Sequence, residues 1–312
     1  MAAGLGHTEI NAHGTRRALC DQIDEAARQL SARRITDAHI HSARKTLKKA
    51  RATLRLLRAA LPARVFEREN ATLRDVARPL GAARDARVLL DSLDRLAELY
   101  GGPARHSIPQ AFRRQLAREQ ATSRGALQRQ HSKRAAPIRR LRTSHRNILT
   151  ARLRAKDWDE IGTGLGRVYR SGRKAMKEAR KTSTPECLHE WRKQAKYLWH
   201  QLQLLEPMAP GPIGAIADQM HKLSDYLGDD HDLAVLREKV TAHAGQFPAR
   251  GGPGALLALI DRCQDRLRAR AFFLGRRIYE DSPAAFSNRF GRYWRRWSKQ
   301  RRQSTQDKSA RR

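Results

Sequence analysis

Carboxylates are the scarce side chains in this sequence: 31 Asp and Glu stand against 64 Lys and Arg among 312 residues, a formal charge of +33. Such a surplus repels itself in a compact chain unless a partner neutralises it, so a polyanion is expected as partner. The deficit is sharpest from Arg105 to Lys156, where fifteen basic residues meet one acid, Glu119, and the closing stretch from Arg289 is similarly basic. Cysteine is nearly missing as well. Cys20, Cys187 and Cys263 are odd in number and far apart, which argues against a disulfide framework or a Cys-x2-Cys metal site and suits a reducing compartment. The longest apolar run, Ala255 to Ile260, is far too short to span a bilayer, and Met1 to Ile10 lacks a basic segment followed by an apolar one. The expectation is a cytoplasmic protein with no membrane span.

β-Branched residues are also sparse, while Leu, Ala and Arg dominate with a period near 3.6, so the fold class is all-α. The periodicity predicts helices over Glu9–Ala32, Asp37–Leu61, Arg64–Tyr100 and Ile108–His131. A second series follows at Trp158–Lys181, Pro185–Leu205, Ile213–Ala244 and Ala255–Tyr279. Gly101-Gly102-Pro103 and Gly251-Gly252-Pro253 close corresponding loops.

The two series are copies. His41-x2-Arg44-Lys45-x2-Lys48 recurs 148 residues later as His189-x2-Arg192-Lys193-x2-Lys196. Leu80-Gly81-x2-Arg84-Asp85 then recurs 147 residues later as Leu227-Gly228-x2-His231-Asp232, so the two matched blocks are offset by a single residue of gap. This predicts two tandem four-helix-bundle repeats, residues 9–131 and 158–281, around a basic central cavity on a pseudo-two-fold axis. Residues 132–157 read as a basic linker, 282–312 as a basic C-terminal helix and tail, with disorder expected from Ser304.

In the second helix, Ala43, Leu47, Ala50, Leu54, Leu57 and Leu61 form an apolar seam, and Arg44, Lys48, Arg51, Arg55 and Arg58 repeat it one residue later. One residue is about 100° of helix rotation, so the basic stripe runs beside the core rather than opposite it. The second copy has Leu188, Trp191, Ala195, Leu198, Leu202 and Leu205 as its seam, with His189, Arg192 and Lys196 one residue on; it then departs to Trp199 and Gln203. Lys45 and Lys193 widen the two stripes. A solvated face ordinarily interleaves acids with its bases, whereas Asp37 is the single acid between Thr36 and Leu61. Mixed Arg forks and Lys point charges suit phosphate oxygens presented in varying directions.

On these residues the sequence resembles the CHAD family of conserved-histidine α-helical domains, from about Glu9 to Tyr279. The resemblance implies paired helical bundles around a basic cavity that binds inorganic polyphosphate, in storage, targeting or scaffolding, in association with polyphosphate granules, with no catalysis and no cofactor. Carried over by position, His41, Arg44, Lys45, Lys48, His189, Arg192, Lys193 and Lys196 would contact phosphate, with Arg51, Arg55, Arg74, Arg78, Arg84, Arg170, Arg173, Lys174, Lys177, Lys222 and His231 as additional contacts from neighbouring helices. Asp85 and Asp232 would orient cavity cations. In the first helix, Asp21, Asp24 and Glu25 take the places of the Arg170, Arg173 and Lys174 region, which would leave the cavity more basic on its second side.

Two rival functions carry residues of their own. Asp229-Asp230-His231-Asp232 resembles the His-Asp pair of metal-dependent phosphohydrolases, but the aligned pair Arg84-Asp85 offers an arginine, which has no lone pair for a metal. A nucleic-acid-binding protein would use the 132–157 stretch and the C-terminal strip, where Trp294 and Trp297 stand among arginines; no reading helix, RNP motif or zinc finger supports it beyond weak non-specific binding. The simpler reading of the two tryptophans is that they dock the last helix while its arginines face water. Gly162-x-Gly164-x-Gly166 follows no strand and precedes no Gly-Lys-Ser/Thr, so it reads as a helix start rather than a nucleotide loop.

Overall fold

Buried apolar stripes shape the helices, which the computed structural model shows as α1 (Ala12–Leu30), α2 (Asp37–Leu56), α3 (Ala63–Ala77), α4 (Ala82–Tyr100), α5 (Gln110–Arg129) and α6 (Ala135–Thr150) in the first half. The second half contains α7 (Trp158–Thr182), α8 (Pro185–Leu205), α9 (Pro210–Ala242), α10 (Gly254–Ile278) and α11 (Pro283–Ala310). The structure describes residues 10–33, 35–80, 82–100, 108–129, 135–154, 158–247 and 252–310, with backbone alone at 82–87, 99–100, 123–129, 305 and 307–310. Among the described residues there is no strand.

Thr36 caps α2, its hydroxyl accepting from His39 N–H while the His39 ring accepts from Thr36 N–H, a reciprocal box. Thr184 caps α8, followed by Pro185 at the first helical position, where a missing N–H costs nothing. Both apolar seams are buried throughout, from Ala43 to Leu61 and from Leu188 to Leu205.

Four expectations need correction. Arg64–Tyr100 is two helices, because Pro79 lacks the N–H a helix interior needs and its ring clashes with the preceding turn. The aligned position in the second half is Tyr226, and α9 runs unbroken through it for 33 residues. The stretch read as a linker contains α6, whose Leu141, Ser144 and Ile148 are buried. It packs on α1 and α3, as α11 packs on α7 and on the short turn Glu206–Met208 before α9. The first half is therefore six helices and the second five, rather than four each, and in each the last packs on the first. Finally, α11 continues past Ser304 to Ala310, where neither Gly nor Pro interrupts it.

Two cores hold the chain, and neither belongs to one half. The larger takes residues from α1, α2, α3 and α6 together with α7, α8, the first part of α9 and α11. The smaller joins the α4–α5 hairpin (Leu93, Leu96, Phe112, Leu116) to the end of α9 and α10 (Leu236, Val240, Leu256, Ile260). The Gly162-Gly164-Gly166 run lies inside α7 and serves close packing. A Cβ at Gly164 would stand 2.2 Å from the Leu56 carbonyl oxygen, and one at Gly166 2.3 Å from Ser287 Oγ. Trp294 docks α11 as expected, stacking on Trp158 and donating from Nε1 to the Ile10 carbonyl at 2.6 Å. Gly252 takes a φ of 48° just before α10, a left-handed turn suited to glycine; its counterpart Gly101-Gly102-Pro103 lies outside the described residues.

Candidate functional site

The two basic helices meet directly. Gln201 Nε2 of α8 donates to the buried Ala52 carbonyl of α2 at 2.9 Å, and Tyr197, a turn earlier in α8, lies under Arg55, further along α2. Lys48 of α2 also acts on His189 and His231 of the second half, so the two basic stripes form one track where α2 crosses α8.

Near the start of α8 the His189 and His231 rings lie 4.8 Å apart and tilted by 51°. Burial, then Arg192, His189, Lys196 and Lys48, push His231 down to about 4. Burial, then Arg192 and Lys193, also lower His189, with Glu190 opposing and Lys48 adding. Lys48 comes from the first half, so cations of both copies act on one pair of rings. His200, 7% exposed and stacked under Trp199, is pushed to about 4 by burial, against a bond to Gln203 and with Lys49, Lys196 and Lys48 assisting. Lys49 is itself lowered by burial and by Lys45. Cations crowd one another here, which is costly without an anion.

The two matched sequence blocks come together in each half. Arg44 Nη1 donates to the Leu80 carbonyl at 3.4 Å, and in the second half Arg192 Nε lies 3.7 Å from where a Cβ on Gly228 would stand. Lys193 is paired with Glu190, which also accepts from Gln194. The side chains of Arg84 and Asp85 lie outside the described residues; Asp232 is half-buried.

The additional contacts divide. Arg51 and Arg55 stay with the crossing, both reaching Asn70 of α3. Arg74 is exposed and bonded to its neighbour Asp75 at 3.0 Å, Arg78 is exposed on the break after α3, and Lys222 is exposed on α9. Arg170 lines a separate groove of about 450 Å³ between α7 and α11, with Arg167 and Arg295. Arg173 sits by Tyr169, which donates to the Asp281 carbonyl, while Lys174 and Lys177 are exposed. The first-helix acids behave alike: Asp21 and Asp24 line a groove with Arg142 of α6, and Asp24 Oδ1 lies 2.6 Å from His145 Nδ1. In both halves this face of the first helix is turned toward the last helix.

The Asp229-Asp230-His231-Asp232 run is split between tasks. Asp229 pairs with Arg95 at 2.9 Å, Asp230 is 2% exposed and accepts from Arg268 at 2.7 Å and from Gln264, and His231 faces His189. Among the described residues no three His, Cys, Asp or Glu side chains stand where they would hold a metal ion. Tyr197, Asn70, His200 and Lys49 were not anticipated. Tyr197 and His200 followed the motif closely in sequence, but nothing about Asn70 marks it before α3 is placed beside α2.

The CHAD domain model matches residues 17–241. The chain belongs to the CHAD domain family. Its match begins within α1 and ends at the close of α9, short of the α10 and α11 helices that complete the second half. Two solved structures share the CHAD fold seen here. PptA from Streptomyces chartreusis superposes with a TM-score of 0.60 at 15% identity, over 87% of this chain and 99% of that one. The CHAD domain from the plant Ricinus communis superposes with a TM-score of 0.55 at 16% identity, over 90% of this chain and 95% of that one. No curated protein matches the sequence. Among the described residues no helix is long and apolar enough to cross a membrane.

Proposed function

We propose that this CHAD protein binds inorganic polyphosphate along the α2–α8 track and performs no chemistry on it, acting in storage, targeting or scaffolding in the cytoplasm or at polyphosphate granules. The observation that carries this reading is the convergence of Lys48 from one half with His189, Arg192, Lys196 and His231 from the other, a set in which burial and the surrounding cations disfavour protonation of the histidines. A linear anion threading the track would relieve that crowding, mainly through release of its counterions. Its negative groups need no fixed sequence, which matches a mixture of Arg and Lys donors.

Calorimetric titration with polyphosphate and with single-stranded RNA of equal charge, at two salt concentrations, tests the reading. Polyphosphate is expected to bind tighter at both, and changing Arg44, Lys45, Arg192 and Lys193 to Ala is expected to remove the difference. Equal binding of both polymers before and after the change would overturn it.

Weak binding of nucleic acid is a second reading, favoured by one surface. Arg292, Arg295, Arg296, Lys299 and Arg302 are exposed on α11, with no acid between Asp281 and Asp307. Because Phe286 and Phe290 bury α11 in the core, replacing these cations with Gln, rather than removing the helix, separates the two sites.

A further inference from the structure

Beyond Lys48 the basic stripe of α2 continues through Arg51 and Arg55, whereas α8 carries Trp199 and Gln203 at the aligned positions. Arg51 Nε and Arg55 Nη1 donate to the same acceptor, Asn70 Oδ1, at 3.4 and 3.0 Å. Both guanidinium carbons stand over the Tyr197 ring, 5.8 and 3.9 Å from its centre. Arg55 Nη1 also donates to the Arg51 carbonyl at 3.0 Å.

The shared acceptor is a neutral amide, and a tyrosine ring carries no net charge. Two guanidinium groups are thus oriented side by side without being neutralised. Among the described residues neither forms an ion pair; Glu190, which attracts Arg55, is held by Lys193 and Gln194. Burial, with Arg51 and Arg58 adding their repulsion, pulls Arg55 down to about 10. The Tyr197 hydroxyl is buried and has no hydrogen-bond partner, and the ring is 5% exposed. A guanidinium carries five donors in a planar fork, and only a few of these ten are spent on Asn70 and the helix carbonyl. Two forks held by one neutral acceptor over one ring are suited to a phosphate group.

We propose that Arg51 and Arg55, stacked on Tyr197 and joined through Asn70, clamp a phosphate group where α2 crosses α8, and that the aligned positions of α8, Trp199 and Gln203, form no equivalent clamp. Tyr197 and Asn70 are positioning residues in this clamp. The inference rests on the reading that polyphosphate occupies the track, and it adds that the two basic helices contribute unequally despite the repeat.

The test uses the full chain and long-chain polyphosphate. Arg51→Ala/Arg55→Ala is expected to weaken binding by about tenfold or more and to lower the slope of log affinity against log salt by about 1.5, as for two lost phosphate contacts. Tyr197→Phe keeps the ring and is expected to bind like the parent, whereas Tyr197→Leu loses about fivefold. Asn70→Ala is expected to lose a similar amount, and it carries the positioning test should Tyr197→Leu fail to fold. Gln203→Ala, at the aligned site of α8, is expected to change nothing. Unchanged affinity and slope in Arg51→Ala/Arg55→Ala, with binding still lost on replacing Arg192 and Lys193, would end the clamp and leave the proposed function standing. A parent chain without affinity for polyphosphate would end both. Equal affinity in Tyr197→Leu, Asn70→Ala and the parent would remove the positioning role.

Discussion

Burial first, and neighbouring cations after it, make His231 and His200 resist protonation. Each is lowered to about 4, against 6.5 for an ordinary histidine. The unfolded chain takes up protons between pH 6.5 and 4 that the folded chain rejects. Their contribution to stability is therefore whole above about pH 6.5 and is lost as pH falls toward 4. For the buried His200 the loss is on the order of 3 kcal/mol. Denaturant unfolding from pH 7.5 to 4.5 should show a shallower decline in His200→Gln than in the parent; parallel curves would count against this. Bound phosphate reverses the preference at the open rings, His189 and His231, since a nearby anion favours imidazolium. Polyphosphate binding should then consume protons near pH 6 and tighten as pH falls, seen as a buffer-dependent heat in calorimetry that shrinks in His231→Asn. The paired histidines and their Arg-Lys followers were legible in the sequence because repetition set them apart from the general surplus. Arg170 and Arg173 look no different from Arg44 in sequence. Only the packing of α7 against α11 shows which face of the helix they occupy.

Helix boundaries follow from single residues. Pro79 divides α3 from α4, and the absence of proline at Tyr226 lets α9 continue, so two aligned segments differ through one imino ring. The α2 and α8 seams could be read in advance because their 4-3 spacing is regular. The role of α6 could not, since its basic residues mask an apolar set as thin as Leu141 and Ile148. Close approach of α7 to α2 depends on Gly164. Gly164→Ala would press a methyl group to 2.2 Å from the Leu56 carbonyl, a backbone atom with little room to move. Denaturant unfolding should show a loss of about 1–3 kcal/mol. Gly211→Ala, at a first-turn position of α9 with nothing within 4 Å, should be neutral or slightly stabilising.

Over the whole molecule, the tandem repeat in sequence does not map onto two separate cores. Phe112 of α5 is fully buried against His243 and Phe247 beyond α9, and Lys239 reaches back to Glu119 at 2.6 Å. Phe112→Ala should cost about 3–5 kcal/mol. Hydrogen exchange should then accelerate in α10 as well as in α5, because they share one core. Acceleration confined to α4 and α5 would contradict this. The sequence could show that two motifs recur, but not that a hairpin of each half packs on the other, since that depends on which surfaces remain uncovered once the larger core has formed.

The shared smaller core bears on ancestry. A single unduplicated half would leave its hairpin apolar face and one basic stripe without counterparts, and would satisfy both by pairing with a second molecule of itself about a true two-fold axis. Fusion of such a homodimer into one chain frees the two stripes to differ. Arg51 and Arg55 on one stripe stand against Trp199 and Gln203 on the other, a difference that a symmetric dimer of identical chains could not carry.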